Sequence, residues 1–256
     1  MNNYRKDKTV SPYIYDKIIY GFGFIGGLGI LLLGSVFFII PMIVMLSGKV
    51  NADELMDAVN MYSVYPACIA EVIGVGLAIC FFKKVFIEDF KKFLKDWYKI
   101  LIVVLALAVI IYYSGFFFEW LYEVCGLESE SINQETIYAI LNGKSKLIMI
   151  LQVAIIAPVF EEIVFRKFTF GFLRQTNIKS IISFCIVTFI FAIIHCSSED
   201  FMSIDAYVYL FNYVFLSAIL TLTYVLFKDN IYASILVHIL NNVLSLLMFY
   251  GVFNVI

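Results

Sequence analysis

P-V-F-E-E-I-V-F-R, the stretch from Pro158 to Arg166, carries two adjacent carboxylates and an arginine inside a strongly apolar run. Ionisable side chains at membrane depth are costly, by roughly 2.5 kcal/mol each or more, and therefore mark functional sites by default. The other residues of chemical interest can be placed relative to Glu161 and Glu162.

The composition indicates a membrane protein. The chain has 256 residues, of which 62% are hydrophobic and 15% charged, and its mean hydropathy is +0.94. A soluble domain cannot hide that much apolar surface, so we expect a polytopic, all-α membrane protein. The net charge of -2 identifies no partner, and nothing in the sequence indicates nucleic-acid binding. The five cysteines form neither a disulfide framework nor a C-x-x-C metal motif.

Stretches between charged residues predict about seven membrane spans, each near or above the roughly 20 residues that a crossing helix needs. We therefore predict a membrane helix bundle with an intramembrane active site. Residues 1–146 would form an N-terminal unit of three spans, and residues 147–256 a core of four. The predicted spans are a segment within Ile18–Gly48, Ala58–Phe82, Ile100–Phe118, a helix from near Leu147, Ser180–Ser198, Ala206–Phe227, and Ile231 to the C-terminus.

The N-terminal unit contains three further features. Residues 83–99 alternate apolar side chains with lysines, which predicts an amphipathic helix lying at an anionic membrane surface. Gly23 and Gly27 are typical of close helix packing through small residues. Glu71, the one acid of the second span, is interpreted as a carboxyl that is neutral or hydrogen-bonded to a neighbouring helix.

The distribution of basic residues predicts the orientation. If the N-terminus, residues 83–99, residues 166–179 and residue 228 lie on the same side of the membrane, that side holds 15 of the 18 lysines and arginines. By the positive-inside rule these segments are cytoplasmic, so the N-terminus lies inside and the C-terminus outside. We expect the protein in a bacterial plasma membrane, in contact with its lipids.

Four polar groups fall at similar depths if the fourth span continues past Arg166 to Arg174. Glu161 then lies about 20 Å from the cytoplasmic helix end, whereas a helix ending at Arg166 would place it only about 8 Å in. The apolar run after Arg166 supports the longer helix. His195 lies about 24 Å from its cytoplasmic helix end, His238 about 15 Å and Asn242 about 21 Å.

The two acids cannot have the same function, because adjacent helical residues project about 100° apart. Glu162 is one turn from Arg166, at the i,i+4 spacing of an ion pair, and we predict that the two pair. Glu161 then faces another helix. Lys167 is predicted to extend its amine to the membrane surface.

A carboxylate, two imidazoles and an amide in a protected cavity suit the activation of water for attack on a carbonyl. Glu161 would act as the general base, and the other groups would stabilise the oxyanion. Alternatively, the same side chains could hold a divalent metal such as Zn²⁺. Two non-enzymatic hypotheses use the same cluster: a proton-coupled transporter and an inert membrane or immunity scaffold.

Three motifs occur in order on successive spans: E-E-x-x-x-R from Glu161, F-x-x-x-H ending at His195, and H-x-x-x-N from His238 to Asn242. Together they resemble the signature of the CAAX protease and bacteriocin-processing family, also called CPBP or Abi, of intramembrane endopeptidases. The family includes type II prenyl-protein proteases, which cut after a prenylated cysteine. The resemblance covers about Leu147–Phe249.

The resemblance implies that Glu161 and His195 activate water, that His238 and Asn242 form an oxyanion pocket, and that Glu162 and Arg166 support them. Members are often described as metalloproteases; a metal would then be held by Glu161, His195 and His238. For the prenyl protease branch a metal-free glutamate mechanism is favoured. The implied substrates are prenylated CAAX-type proteins, or peptides in bacteriocin processing or self-immunity. Lys167 departs from the family, whose members often have glycine there.

Overall fold

The computed structural model describes residues 14–46, 49, 51–127, 130–176 and 178–252, and every regular element in these ranges is helical. The predicted all-α membrane helix bundle is therefore confirmed. The helices are α1 (Ile14–Leu46), α2 (Ala52–Tyr62), α3 (Val64–Cys125), α4 (Ile132–Leu141), α5 (Lys146–Gln175), α6 (Ser180–His195), α7 (Ile204–Leu226) and α8 (Ile231–Phe249).

The chain is an integral membrane protein. Among the described residues four helices, α3, α5, α7 and α8, are long and apolar enough to cross a bilayer, and α6 and residues 20–34 of α1 are shorter apolar helices. The helix α3 has 62 residues and extends about 90 Å. It contains the third predicted span and the second from Val64 onward, whereas the first residues of the predicted second span, 58–62, belong to α2. The count of seven crossings stays a prediction. The predicted orientation rests partly on Arg5, Lys6 and Lys8, which lie outside the described residues, whereas Lys17 lies in α1. The C-terminal residue also lies outside the described residues.

The helix α3 combines segments that we predicted from the sequence as separate elements. Its dihedral angles depart from helical values at Phe82, where φ is -113° and ψ is 20°. From Lys83 onward it continues to Cys125, so the predicted amphipathic helix at residues 83–99 is not a separate element but the first part of the following span. Phe86 and Asp89 are buried along one face of this part, while the lysines are exposed.

The helix α5 carries the two glutamates and runs past Arg166 to Gln175, as the depth argument predicted. It contains two π-helical stretches, Gln152–Ile156 and Ile163–Phe170, which flank the α-helical turn with both acids. Such wide turns occur frequently at functional sites. They rotate the flanking side chains relative to a regular helix, and this rotation decides which of them face the neighbouring helices.

Glycines allow α1 and α3 to lie close to α5. A Cβ atom on Gly23 would lie 2.7 Å from the Phe168 ring, and one on Gly27 would lie 2.8 Å from Cγ2 of Val164. The predicted packing role of these two glycines is confirmed. On the other side of the contact, a Cβ atom on Gly74 of α3 would lie 2.5 Å from the ring of Phe160. Glu161, the first catalytic candidate, directly follows Phe160, so the packing of Phe160 against Gly74 helps to position it.

The structure contradicts the prediction that Lys167 extends to the membrane surface. Its side chain is buried, with 5% of the residue exposed, and its amine donates to the carboxylate of Asp89 on α3. Asn230, at the start of α8, donates from Nδ2 to the backbone carbonyl of Asp89 over 3.0 Å. An amine with a buried carboxylate within reach need not extend to water. Lys167, through Asp89, thus joins α3, α5 and the start of α8.

Candidate active site

Three helices bring the predicted residues to one cavity. Glu161 is on α5, His195 is the last residue of α6, and His238 and Asn242 lie one turn apart on α8. All four line a single cavity of about 400 Å³. The structure therefore assembles the whole set of catalytic candidates that the sequence placed at a common depth.

The Glu161 carboxylate lies between the two histidine rings. Its Oε2 is 3.7 Å from Nε2 of His195 and 3.7 Å from Nε2 of His238. These separations are too long for direct hydrogen bonds. They leave the carboxylate and both Nε2 atoms directed toward the same small volume, which a water molecule could share.

The hydrogen-bond partners determine which nitrogen of each ring carries a proton. Nδ1 of His195 lies 2.9 Å from the Phe191 carbonyl oxygen, which can only accept, so Nδ1 donates and a neutral ring has its lone pair on Nε2. The same ring stacks on Phe191, with centroids 4.2 Å apart. Nδ1 of His238 lies 2.9 Å from Oε1 of Glu162. Both imidazoles thus direct Nε2 toward Glu161.

Glu162 and Arg166 form the predicted ion pair, with Nη1 of the arginine 2.9 Å from Oε1 of the glutamate. Both side chains are fully buried. Nη2 of Arg166 also donates to the carbonyl oxygen and the hydroxyl of Ser217, over 3.2 and 3.0 Å. Because the same Oε1 accepts from His238, the ion pair fixes the orientation of that imidazole. Sequence reasoning did not identify Ser217, since nothing in its local pattern distinguishes it.

The amide of Asn242 is oriented by two contacts. Its Nδ2 donates to the Val153 carbonyl over 2.8 Å, and its Oδ1 accepts from Nδ2 of Asn241 over 2.8 Å. Val153 lies in the first π-helical stretch of α5. One proton of Nδ2 is used in this way, and the second remains available to a group in the cavity. Asn241 was missed by the sequence analysis, which assigned no function to the neighbour of the motif residue.

Glu71 also lines the catalytic cavity. Its Oε2 accepts from Nε2 of Gln152 over 2.8 Å, and Oε1 of Gln152 accepts from the thiol of Cys68 over 2.7 Å. The interpretation of Glu71 as a carboxyl bonded to a neighbouring helix is confirmed. Its place in the cavity wall was not predicted.

Glu161, His195 and His238, the side chains that the family resemblance implied would hold a metal, all line the cavity. Within the described ranges, no group of three or more His, Cys, Asp or Glu side chains has a geometry that could hold a metal ion. The Nδ1 atoms of both histidines are engaged by the Phe191 carbonyl and by Glu162, which leaves both Nε2 atoms free to bind a water or another ligand in the cavity. The geometry fits a hydrogen-bonded water between Glu161 and the two Nε2 atoms.

A second cavity, of about 230 Å³, adjoins the first. Gln134, Tyr213 and Asn241 belong to the walls of both cavities. Burial raises the pKa of Glu130, in the loop before α4, to about 7, and the nearby charges of Glu119 and Glu135 raise it further in the same direction. The second cavity therefore has an acidic wall.

Comparison with known proteins agrees with this geometry. Residues 143–244 match the family model described as "Type II CAAX prenyl endopeptidase Rce1-like". The matched segment begins just before α5 and includes all four catalytic candidates, so the resemblance drawn from the three motifs is confirmed. No curated protein and no solved structure was found that matches the chain.

Proposed function

We propose that the chain is an intramembrane endopeptidase of the glutamate type, because residues 143–244 match the Rce1-like model of type II CAAX prenyl endopeptidases. In this proposal Glu161 and His195 activate a water molecule that attacks a peptide carbonyl. The observation that carries the proposal is the placement of Oε2 of Glu161 3.7 Å from the Nε2 atoms of both histidines.

The first step is the activation of water. A water molecule has two protons, and two acceptors face the place between the rings: the Glu161 carboxylate and the lone pair on Nε2 of His195. Glu161 removes one proton as the oxygen attacks the carbonyl carbon, and His195 holds the other. The Phe191 carbonyl supports this division by keeping the His195 proton on Nδ1.

The second step places negative charge on the former carbonyl oxygen. The free proton of Asn242 Nδ2 is one donor for this oxyanion. The second donor is the Nε2–H group of a protonated His238. The Nδ1 proton of that ring is already shared with Glu162 and is not available to the oxyanion. Donors that are held in place before the reaction stabilise developing charge without reorganisation. This is why the contacts of Val153 and Asn241 with Asn242 matter for the chemistry.

The third step breaks the carbon–nitrogen bond. Glu161 gives the proton that it took from water to the leaving nitrogen, so the products are a carboxylic acid and an amine, and the carboxylate is regenerated. The proposed substrate is a peptide or lipidated protein that enters from the bilayer, either a prenylated CAAX-type protein or a peptide such as a bacteriocin precursor. Support for a lipidated substrate comes from the family match and from the position of the site inside apolar helices.

The test is cleavage of a prenylated peptide by purified protein and by Glu161→Gln. The amide keeps the volume of the side chain but does not take a proton at neutral pH, so the rate should fall about 10²–10⁴-fold. Glu88→Gln, which removes an exposed carboxylate of α3, is the matched control and should leave the rate unchanged. Near-normal cleavage by Glu161→Gln would reject the mechanism.

The same variants separate the protease from the two alternatives. A proton-coupled transporter would lose uptake into vesicles in Glu161→Gln without ever releasing a peptide product. An immunity scaffold would keep its protective effect in that variant. Peptide release that depends on Glu161 is expected only of the enzyme.

A further inference from the structure

Glu71 is a buried carboxylate in the catalytic cavity for which the proposed mechanism has no use. It belongs to α3, outside the matched segment 143–244, so the family match assigns it no function. Only 9% of the residue is exposed. An acid at this depth is costly unless it has a partner or a function, and among the described residues the side chain that donates to Glu71 is the neutral amide of Gln152.

The hydrogen bonds around Gln152 make Glu71 an acceptor. The Cys68 thiol donates to Oε1 of Gln152, which directs the NH₂ group of that amide toward Glu71. Oε2 of Glu71 accepts this bond. The other carboxylate oxygen of Glu71, Oε1, accepts from no described residue. It is not fully buried, so a group in the cavity can reach it. A carboxylate oxygen is therefore presented to the cavity with acceptor capacity to spare.

Close packing fixes the position of Glu71 relative to the reacting groups. Gly74, less than one turn further along α3, approaches Phe160 so closely that an added Cβ would lie 2.5 Å from its ring. Phe160 directly precedes Glu161. On the other side, Gln152 directly precedes Val153, whose carbonyl holds Asn242. The Glu71 carboxylate is thus bonded to the side chain of Gln152 on α5, and its own helix packs against the Phe160 ring next to Glu161, which holds Glu71 at the cavity wall.

The charges of the cavity leave this carboxylate without a cation. Among the described residues, the cavity wall includes the acids Glu71 and Glu161 but no lysine or arginine. Arg166, the nearest base on α5, is engaged by Glu162 and Ser217. A substrate that enters the cavity with a basic group would supply the lysine or arginine charge that the wall lacks.

We propose that Glu71 is a specificity residue of this site, whose carboxylate binds the ammonium or guanidinium group of a substrate lysine or arginine near the scissile bond. This inference rests on the proposed function, since the ligand is taken to be the peptide substrate. A cation at membrane depth is costly in the same way as an anion, and pairing the two offsets both costs. The charge would therefore give selectivity for basic peptides over neutral ones of equal size.

The experiment uses farnesylated cysteine peptides in pairs, with lysine or its uncharged counterpart norleucine placed in turn at each of the three residues after the cysteine. We expect the wild type to prefer lysine at one position by about tenfold or more in kcat/KM, chiefly through KM. In Glu71→Gln, which keeps the volume and can still accept from Gln152, this ratio should fall to near one. Glu88→Gln is the matched control and should keep the preference.

Binding separates this inference from the proposed function. Affinities for the same peptide pairs are measured with Glu161→Gln and with the double variant Glu161→Gln/Glu71→Gln, and thermal unfolding shows that both are folded. A lysine preference that disappears in the double variant supports the inference, even if the wild type cleaves none of the peptides and the protease assignment is rejected. The inference is overturned if the preference is equal with and without Glu71, or if Glu161→Gln binds neither peptide of any pair.

Discussion

Two neighbouring basic residues of α5, Arg166 and Lys167, are buried by different means. Arg166 pairs with Glu162 on its own helix and through it orients His238. Lys167 pairs with Asp89, 78 positions away in the chain, and the contact joins helices without touching the cavity. A charge at membrane depth therefore does not by itself indicate catalysis. Its partners decide whether it serves the reaction or only the packing.

The largest effect in this comparison is expected from Arg166→Met. It leaves the Glu162 carboxylate buried beside His238 without its cation, and breaking a buried ion pair in this way costs about 3–5 kcal/mol of stability. Activity per folded molecule should fall as well, because the orientation of His238 depends on Glu162. The measurement is thermal unfolding in detergent together with peptide cleavage.

A double variant, Glu162→Gln/Arg166→Met, serves as the control for charge burial. Removing both charges should restore much of the lost stability but not the activity, because the imidazole has then lost its anionic partner. If Arg166→Met alone unfolded at the same temperature as the wild type, the ion pair would have no structural importance.

Asn242→Ala should separate chemistry from stability. The change removes one donor to the oxyanion, and such losses typically lower kcat about 10²–10³-fold. The side chain is only partly buried, so we expect little change in the unfolding temperature. Kinetics at saturating peptide and matched folded concentration give the result. A loss confined to KM would assign Asn242 to substrate binding and not to the oxyanion.

Lys167→Met should show the opposite behaviour. Asp89 would lose the buried Lys167 amine but keep long contacts with the exposed Lys92 amine at 3.4 Å and the Ile231 backbone N–H at 3.5 Å, so we expect a stability loss of about 1–3 kcal/mol. Because the cluster does not line the cavity, cleavage per folded molecule should be unchanged. A fall in kcat at full folding would show that the Asp89 contact also positions α5 for the reaction, and the distinction drawn between the two basic residues would then fail.

The smallest effect concerns Glu130, outside the membrane-spanning helices. Its pKa of about 7 exceeds the ordinary value of 4.5, chiefly because the carboxyl is partly buried and also because it lies near Glu119 and Glu135. The folded state therefore holds this proton more tightly than the unfolded state, and stability falls as the pH rises from about 4.5 to about 7. Glu130→Gln should raise the unfolding temperature at pH 8 and leave it nearly unchanged at pH 4.5. Equal shifts at both values would mean that the carboxyl's charge is not responsible.

Several elements of the fold and the site were predictable because they depend on local patterns. Long apolar runs predicted the helices, and the apolar residues after Arg166 predicted that α5 continues to its observed end. The i,i+4 spacing of Glu162 and Arg166 predicted their contact, since one helical turn fixes it. Gly23 and Gly27 predicted close packing but not their partners. The helical dihedrals that continue from residue 83 through 99 into the next span were missed, because a basic amphipathic pattern is equally compatible with a surface helix.

The sequence was enough to predict the all-helical fold and the different faces of α5 that carry the two acids, because helical periodicity acts over a few residues. The tertiary structure decided what those faces meet. It paired Lys167 with Asp89, bonded Glu71 to Gln152 across 81 positions, and turned both histidines so that Nε2 faces Glu161. Such contacts depend on how helices pack, and packing is set by complementary shapes of residues far apart in the chain. No local pattern records that complementarity, so the cavity and its excess of negative charge became visible only in the folded molecule.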